Sequence, residues 1–365
     1  MVTRLSVRRD DLRDTRWEDT ALASLDDGAV RLRVDKFALT SNNITYAVFG
    51  DAMGYWQFFP TGNPATGCVP VWGFGSVVES RADGVDVGEK FYGYYPIADE
   101  VVLQAEAVHP GGFTDGAEHR RGLPPIYNQY TRCSADPGYV PEFEAQQALL
   151  RPLFSTSFLL DDFLSANGFF GANAVILSSA PSKTAYGTAF CLFKRHHTPE
   201  SVKVIGLTSP GSLEFTSSLG CYDDVVVYPD IASSLPEDPA VYVDMSGSAP
   251  VREAVHRRLA DNLTYDCAVG ATHWDAPAGG DALPGPAPVL FFVPDWAAKR
   301  AADWGPAGLL ERIGAGWVSF MEQVNRPDNP WLTVVSGQGP AAIDAVYAAL
   351  LDGTLPAREG HVLSV

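Results

Sequence analysis

One turn in the middle of the chain carries the side chains that anion binding needs. It follows the apolar run AVIL and reads Ser178-Ser179-Ala180-Pro181-Ser182-Lys183-Thr184-Ala185. Hydroxyl groups can donate directly to a phosphate, Ser182 is a suitable helix cap, and Lys183 adds a positive charge. The amino terminus of a helix also presents unpaired N–H groups and a favourable dipole. If a helix begins near Ser182, this turn is therefore predicted to contact an anion.

The elements around the turn are those of a parallel sheet. Apolar strands alternate with helical patterns: AVILSS, then KTAYGTAFCLFKRH, VKVIGLTS, SLEFTSSLG, DDVVVYP, AVYVDMSG and PVREAVHRRLADN. Continuous apolar strands separated by helices are typical of a parallel sheet covered on both faces. In such a sheet the first strand-to-helix turn meets the pyrophosphate of a dinucleotide. We therefore predict cofactor contacts from Ser179, Ser182, Lys183 and Thr184.

The turn departs from the usual dinucleotide pattern. It lacks GxGxxG, and Pro181 removes one backbone donor. An ordinary helix cap followed by a surface lysine is the alternative interpretation.

The end of the second strand favours a phosphorylated cofactor. VKVIGLTS ends in Thr208 and Ser209, and no acidic residue follows until Glu214. A carboxylate at this place would favour the free ribose of NAD, so its absence leaves room for a 2′-phosphate. Ser209 and Lys183 can both serve that phosphate, which predicts NADP(H). The alternative is that Thr208 and Ser209 simply begin a turn before Pro210. The ends of the next two predicted strands, in AVYVDMSG and YDCAVGAT, add Ser246 and Gly270 to the predicted cofactor site.

Composition narrows the class of partner. The chain has 365 residues, a formal net charge of -18 and no lysine- or arginine-rich run. Nucleic acids and anionic membranes both attract clustered positive charge, so neither is expected as a partner. The five cysteines are widely spread and never form CxxC, which favours a reducing compartment. No apolar run approaches a membrane span, and no leader is evident. We expect a cytoplasmic enzyme acting on a small molecule.

The remaining segments suggest how the chain is divided. Short β-rich runs with turn residues fill the region from Ala29 to Leu103, and a helical pattern ends at Gly168. Between them, the glycine- and proline-rich piece from Pro110 to Tyr139 is predicted to be a surface loop. The last run, HVLSV, is expected to rejoin the first domain as a strand.

The order of these parts resembles the medium-chain dehydrogenase/reductase superfamily, particularly its zinc-free quinone oxidoreductase and enoyl reductase branches. VRLRVDKFALTSNNITYAV is similar to the strand, turn and helix beside the family's active site, and VWGFGSVVESRADGVDVGEKFYGY to its GHE segment and following turn. AVILSSAPSKTAYGTAFCLFKR and VKVIGLTSPGSLEFTSSLGCYDDVVVY resemble its cofactor strands. The turn is most similar to a bacterial branch of unknown function that has serines and lysine in place of glycines.

The resemblance implies an α/β fold with two kinds of domain. A GroES-like β-rich domain is expected at 1–145, a Rossmann-type doubly wound parallel sheet at 146–305, and a C-terminal segment returning to the first domain at 306–365. Phe292 looks like part of the later strand that supports the nicotinamide. The late strands LFFVPDW and WLTVVSG resemble the family's dimer edge, which leaves a homodimer open.

The departures from the family imply chemistry without a metal. The zinc-binding cysteine of relatives corresponds to Thr40, and the histidine and glutamate of GHE to Val71 and Trp72, so no ligand set remains. Asn43 resembles a polar residue that faces the cofactor, and Tyr46 lies one helical turn later as a candidate proton donor. The alternative is that Asn43 caps the short helix while Tyr46 packs beneath it.

Two functions follow for the whole chain. The first is an NADPH-dependent, metal-independent reductase of an activated C=C or C=O bond, in an enone, a quinone or an acyl thioester, with Thr40, Asn43 and Tyr46 as its catalytic candidates. The alternative is a catalytically silent binding or scaffold protein that retains the dehydrogenase/reductase fold.

Overall fold

The computed structural model describes residues 1–22, 24–198, 200–269 and 283–365. These residues form two compact units. The β-rich unit comprises Met1–Pro152 and Thr333–Val365, and the parallel-sheet unit comprises Leu153–Leu332. Among the described helices, none combines the length and the apolar character that a membrane span requires.

The strands run along the whole chain. In chain order they are β1 (Val2–Arg8), β2 (Thr15–Thr20), β3 (Ala29–Leu39), β4 (Thr66–Gly67), β5 (Pro70–Ser80), β6 (Lys90–Pro96), β7 (Glu100–His109), β8 (Gly112–Asp115), β9 (Gln129–Arg132), β10 (Ala174–Leu177), β11 (Lys203–Thr208), β12 (Asp224–Val227), β13 (Ala240–Asp244), β14 (Leu263–Ala268), β15 (Val289–Leu290), β16 (Thr333–Gln338) and β17 (Glu359–Ser364).

The α-helices alternate with the later strands. They are α1 (Ser41–Val48), α2 (Glu144–Ala166), α3 (Lys183–Phe193), α4 (Leu213–Ser218), α5 (Ile231–Ser234), α6 (Ala249–Leu259), α7 (Val293–Val324) and α8 (Pro340–Asp352). Helix α7 is two helices joined at Gly305, whose φ of 76° lies in the left-handed region that glycine tolerates.

The β-rich unit is built on an eight-stranded sheet in the order β16-β17-β3-β5-β6-β9-β8-β7, with an extra pairing of β3 with β7. Strand β3 carries alternating apolar residues, which places Val30, Leu32 and Val34 in the core. Strand β17 pairs antiparallel with β3, which confirms that HVLSV rejoins the amino-terminal part as a strand.

The segment from Pro110 to Tyr139 contributes two short strands, β8 and β9, to this sheet, and for those residues the expectation of a surface loop was wrong. Strands β8 and β9 pair with each other and continue the sheet from β7 to β6. Phe113 and Tyr130 are buried, with their rings stacked at 5.1 Å. Glycine and proline at these spacings mark the turns between strands that are only four residues long.

In the part of the parallel-sheet unit that the structure describes, six strands form a sheet in the order β12-β11-β10-β13-β14-β15, and all its pairings are parallel. Numbered from β10, this is the order 3-2-1-4-5-6 of the doubly wound fold. The central strands are buried on both faces, which is why they read as continuous apolar runs. The order reverses between β10 and β13, so their carboxyl ends form the switch point where ligands bind in such sheets.

The last strand of this sheet is shorter than LFFVPDW predicted. Pairing with β14 involves only Val289 and Leu290, and Val293 already begins α7. Pro294 and Asp295 occupy the first turn of that helix. A backbone N–H at this place has no acceptor within the helix, so proline is tolerated there, and the negative charge of Asp295 interacts favourably with the helix dipole. The predicted strand therefore ends before Phe291.

Candidate functional site

The turn after β10 adopts a conformation that L-residues seldom take. Ser179 has a φ of +50°, in the left-handed region usually left to glycine. Its N–H donates to the hydroxyl of Tyr228 at 3.1 Å. Tyr222 donates to the carbonyl of Ala180 at 2.8 Å, so two tyrosines hold the turn in place of the missing glycines.

Most backbone donors of the turn are used inside the protein. The N–H of Ser178 donates to Val243 at 3.1 Å, and that of Ala180 donates to Leu207 at 3.0 Å. The N–H of Ser182 donates to the carbonyl oxygen of Ser179 at 2.8 Å. A ligand at this turn would therefore meet side chains and the first turn of α3 rather than the N–H groups of the preceding loop.

Helix α3 begins as the sequence predicted. Ser182 is its N-cap, and its hydroxyl accepts from the N–H of Ala185 at 3.4 Å. Ser179, Ser182, Lys183 and Thr184 are all partly exposed, whereas Ala180 and Pro181 are buried. The first residues of an α-helix have N–H groups without an intrahelical acceptor. The four predicted polar residues are thus brought together at an eleven-residue helix with its positive end toward them.

Small residues elsewhere make room for this turn. A Cβ added at Gly206 of β11 would lie 2.9 Å from Cβ of Ala180 and 2.9 Å from Tyr222. A Cβ at Gly187 of α3 would lie 2.6 Å from the hydroxyl oxygen of Ser157. In the usual GxGxxG turn, glycines allow the strand and helix to pack closely. Here Gly206 in β11 and Gly187 in α3 allow that close packing instead.

A buried carboxylate joins the two loops at the switch point. Asp244, at the end of β13, is fully buried. Its Oδ1 accepts from the Ser178 hydroxyl at 2.9 Å, from Ser246 N–H at 3.0 Å and from Gly247 N–H at 2.9 Å. The Ser178 hydroxyl oxygen in turn accepts from Met245 N–H at 2.9 Å. Ser246 N–H also donates to the Ser178 hydroxyl at 3.1 Å, which holds Ser246 beside the turn.

The guanidinium of Arg252 balances the negative charge of Asp244. Arg252 donates to its Oδ2 at 2.6 Å and lies 3.8 Å from Asp266, another fully buried carboxylate. Asp266 contacts His256 Nε2 at 2.8 Å, and His256 Nδ1 lies 2.8 Å from the carbonyl oxygen of Pro284. Both ring nitrogens of His256 therefore lie within hydrogen-bond distance of an oxygen atom. Sequence patterns did not indicate this network, because Asp244, Arg252, His256 and Asp266 come from β13, α6 and β14.

The other predicted cofactor residues differ in accessibility. Thr208 is fully buried, and its hydroxyl accepts from Thr216 at 3.3 Å, so it faces the interior. Ser209 is exposed at the start of the loop after β11. Phe292 is partly buried and caps α7 instead of lying in a strand. Gly270 lies outside the described residues.

In the β-rich unit, Thr40 and Asn43 form a helix cap. The Asn43 side-chain oxygen accepts from Thr40 N–H at 2.7 Å and from its hydroxyl at 3.1 Å, while Asn43 Nδ2 donates to Pro70 at 2.9 Å. Asn43 is buried, and both polar atoms of its amide are engaged. The geometry supports the capping interpretation for these two residues.

Tyr46 lies beneath that cap in a cluster of aromatic rings. Its hydroxyl accepts from Trp72 Nε1 at 3.2 Å, and its ring contacts those of Tyr55 and Tyr94 at 4.6 and 5.6 Å. Burial raises the pKa of Tyr46, although hydrogen bonds with Trp72, Asn42 and Tyr127 act in the opposite direction. Tyr46 is therefore a neutral phenol and a hydrogen-bond donor at physiological pH.

The aromatic cluster includes residues that the sequence did not indicate. Tyr127 comes from the short helical turn Pro125–Asn128, within the segment that was expected to be a loop. Its hydroxyl lies 3.1 Å from that of Tyr55. Composition gives no hint of this pair, since 72 residues separate its members.

No group of three histidine, cysteine or acidic side chains in the described residues has the arrangement of a metal site. At the positions that correspond to zinc ligands, Val71 is buried in the core and Trp72 is stacked on Tyr92 at 5.6 Å.

Solved structures share this fold over the whole chain. CurA of Vibrio vulnificus, solved in complex with NADPH, has a TM-score of 0.61 and 12% identity, covering 100% of this chain and 99% of its own. The yhdH oxidoreductase of Salmonella enterica, in complex with NADP, has a TM-score of 0.53 and 13% identity, covering 100% of both chains. A mutant form of enoyl thioester reductase from Candida tropicalis has a TM-score of 0.56 and 9% identity, covering 100% of this chain and 99% of its own.

At these identities the similarity establishes the fold alone: a GroES-like β-rich unit and a Rossmann-type parallel-sheet unit. The predicted fold class is confirmed. The chain belongs to the family described as "Protein of unknown function (DUF2855)", whose model matches residues 37–356. No curated protein matches its sequence.

Proposed function

We propose that this protein is an NADPH-dependent oxidoreductase that reduces an activated C=C or C=O bond without a metal ion. One observation carries the proposal: four polar side chains, including Lys183, surround the amino terminus of α3 at the switch point of a 3-2-1-4-5-6 sheet. Helix termini at this place bind dinucleotide phosphates. Two of the similar structures, CurA and the yhdH oxidoreductase, were solved with NADPH and NADP.

The residues present fit a dinucleotide. Ser179, Ser182 and Thr184 offer hydroxyl donors and Lys183 a charge, while the α3 dipole favours the diphosphate. Ser209 is the exposed hydroxyl at the end of β11, where a 2′-phosphate belongs and no carboxylate stands. Asp244 fixes Ser246 beside the turn, and Tyr228 supports Ser179. NADPH is therefore the cofactor we assign.

Bound NADPH supplies a hydride, and the chain must supply a proton and a polar environment for the oxygen of the substrate. On the β-rich unit we assign the proton to Tyr46. Its oxygen already accepts from Trp72, so its own O–H is oriented away from that indole. Thr40 and Asn43 hold the amino terminus of α1, which fixes the position of Tyr46 one turn later. Enones, quinones and acyl thioesters all suit this chemistry.

The second candidate is a protein that kept the fold without the reaction. Pro181 and the engaged N–H groups of Ser178, Ser179 and Ala180 favour it, because they leave the loop before α3 without free backbone donors. Under this alternative, NADPH has no measurable affinity.

A titration of NADPH fluorescence with purified protein separates the two. We expect saturable binding by the wild type. Replacing Lys183 by Ala removes one charge-assisted hydrogen bond to phosphate and should weaken binding roughly ten-fold. Lys194→Ala, at the far end of α3, is the matched control and should bind as the wild type does. Absence of saturable binding by the wild type, with NADH also silent, would contradict the reductase.

A further inference from the structure

Ser178 joins the ends of the two central strands of the parallel sheet through its side chain. It directly follows β10, and its hydroxyl donates at 2.9 Å to Oδ1 of Asp244, the last residue of β13. The same hydroxyl oxygen accepts from the N–H groups of Met245 and Ser246 at 2.9 and 3.1 Å. Ser178 and Asp244 are both fully buried. One hydroxyl therefore fixes the turn before α3 against the loop that follows β13.

Arg252, on α6, holds the same carboxylate by its other oxygen. Its guanidinium donates to Oδ2 of Asp244 at 2.6 Å, whereas the Ser178 hydroxyl and the loop after β13 donate to Oδ1. An unbalanced negative charge buried beside a phosphate-binding turn would repel the phosphate. Arg252 therefore holds Asp244 in place and also offsets its charge. We call Ser178, Asp244 and Arg252 the loop link.

The hydroxyl of Ser178 is not needed to shape the turn. The usual fingerprint begins with a glycine that permits the tight turn. Here the left-handed φ falls on Ser179, and the φ of Ser178 is not positive. An alanine would fill the same space, but it would leave the N–H of Met245 without its acceptor and remove one donor from Asp244. The hydroxyl is thus explained by the contacts that it makes across the two strand ends.

Both segments that the loop link joins carry residues of the proposed cofactor site. The turn carries Ser179 and Ser182, and the loop after β13 carries Ser246. Ligands of doubly wound sheets lie in the crevice outside such strand ends. Polar groups that bind a ligand must keep their positions within roughly 0.5 Å, and supporting hydrogen bonds provide that precision. A link between the two segments therefore bears on cofactor affinity as well as on folding.

We propose that Ser178 and Arg252 are positioning residues for NADPH. Acting through Asp244, they hold the turn before α3 and the loop after β13 at the separation that the cofactor requires. This inference rests on the proposed binding of NADPH to the parallel-sheet unit. Ser178 is fully buried, so its effect reaches the cofactor through the loop link and not through direct contact.

Two substitutions of Ser178 distinguish positioning from packing. In a titration of NADPH fluorescence well below the unfolding temperature, Ser178→Ala should weaken binding roughly ten-fold, because two hydrogen-bond partners across the strand ends are lost. Ser178→Gly restores the residue of the usual fingerprint but lacks the hydroxyl, so it should weaken binding at least as much. A folded Ser178→Gly protein that binds NADPH as the wild type does would overturn the positioning role.

Thr264→Val is the matched control for lost stability. It removes a hydroxyl that donates to the Ala240 carbonyl at 3.2 Å, at the amino ends of β14 and β13 and so at the opposite edge of the sheet. This variant should lower the urea midpoint of the parallel-sheet unit and leave NADPH affinity unchanged. If Thr264→Val weakened NADPH binding as much as Ser178→Ala at equal loss of stability, the effect of Ser178 would be structural and the proposal wrong.

Arg252→Ala tests the other end of the loop link, at a side chain that is partly exposed. We expect a loss of NADPH affinity of roughly ten-fold or more, because the guanidinium both holds Asp244 and offsets its charge. Ethylguanidinium in the buffer should restore part of that affinity and leave the wild type unchanged. Arg257→Ala, which removes an exposed guanidinium paired with Glu253 on the same helix, should bind NADPH as the wild type does.

The double variant tests whether the three residues act together. Ser178 and Arg252 bond opposite oxygens of one carboxylate, so their losses should not multiply. If each substitution alone weakens binding roughly ten-fold, the double variant should weaken it by well under roughly a hundred-fold. Losses that multiply in full would overturn the loop link. If the Ser178 variants do not fold, Arg252→Ala and its rescue decide the question.

The outcomes separate the two proposals. A wild type that binds NADPH, with Ser178→Ala and Arg252→Ala binding equally well, would overturn the positioning role and leave the reductase standing. A wild type that binds no NADPH would overturn the reductase and the positioning role with it. Weakened binding in both variants, with normal binding in Thr264→Val and Arg257→Ala, is the result that we expect.

Discussion

Replacing Asp244 by Asn should separate the loops at the switch point and destabilise the parallel-sheet unit. The carboxylate is fully buried and accepts from Ser178, Ser246 and Gly247 on one oxygen and from Arg252 on the other. An asparagine keeps only one acceptor oxygen, so either the three donors or the guanidinium must face an N–H₂ group. Arg252 would also lose its 2.6 Å partner, while its contact with Asp266 is 3.8 Å.

Breaking a buried ion pair from one side costs about 3–5 kcal/mol, and we take the lower end because Arg252 is partly exposed and keeps Asp266. With a urea m-value of about 2 kcal/mol/M, the unfolding midpoint of this unit should fall by roughly 1.5 M. NADPH binding should weaken as well, because Ser246 and the Ser178 turn lose their common anchor.

Urea unfolding with pulsed hydrogen exchange and mass spectrometry measures this unit by itself. Peptides from β10, β13 and β14 report it, whereas peptides from β3 and β5 report the β-rich unit and should not change. Asp261→Asn, at an exposed position of the same unit, is the control. A midpoint shift no larger than that of the control would refute the assigned role of Asp244.

Two further substitutions test the packing around the candidate site. Gly206→Ala places a Cβ 2.9 Å from both Ala180 and Tyr222, and overpacking of this kind should lower the free energy of unfolding by about 1–3 kcal/mol. Gly211→Ala, with open space around it, is the control and should lower it far less. Equal losses in the two variants would contradict the tight contact at Gly206. Arg120→Met leaves the buried Asp115 carboxylate without its 3.0 Å partner and should destabilise the β-rich unit by about 3 kcal/mol, whereas the exposed Arg121→Met should change its thermal unfolding little.

The parallel-sheet unit could be predicted from sequence because its signals are local. AVIL, KVIGLT and AVYVD are apolar on both faces, and each precedes a helical pattern, so strand, helix and switch point follow from order alone. The start of α3 at Ser182 was predicted for the same reason, since a helix cap depends on neighbours in the chain.

What the sequence could not show depends on distant pairs. Strands β8 and β9 are four residues long, and their glycine-rich flanks have the composition of a loop. The Tyr55–Tyr127 and Ser178–Asp244 contacts join residues 72 and 66 positions apart. Neither contact follows from spacing or periodicity, and each became visible only once the strands were paired.

The most direct test of the central claim is an experimental structure of the wild-type protein with NADPH in excess. We predict density for the cofactor diphosphate against the first turn of α3, within hydrogen-bond distance of Ser182, Lys183 or Thr184. A pocket at that turn closed by side chains, with no nucleotide bound there, would contradict the reductase and leave only the fold.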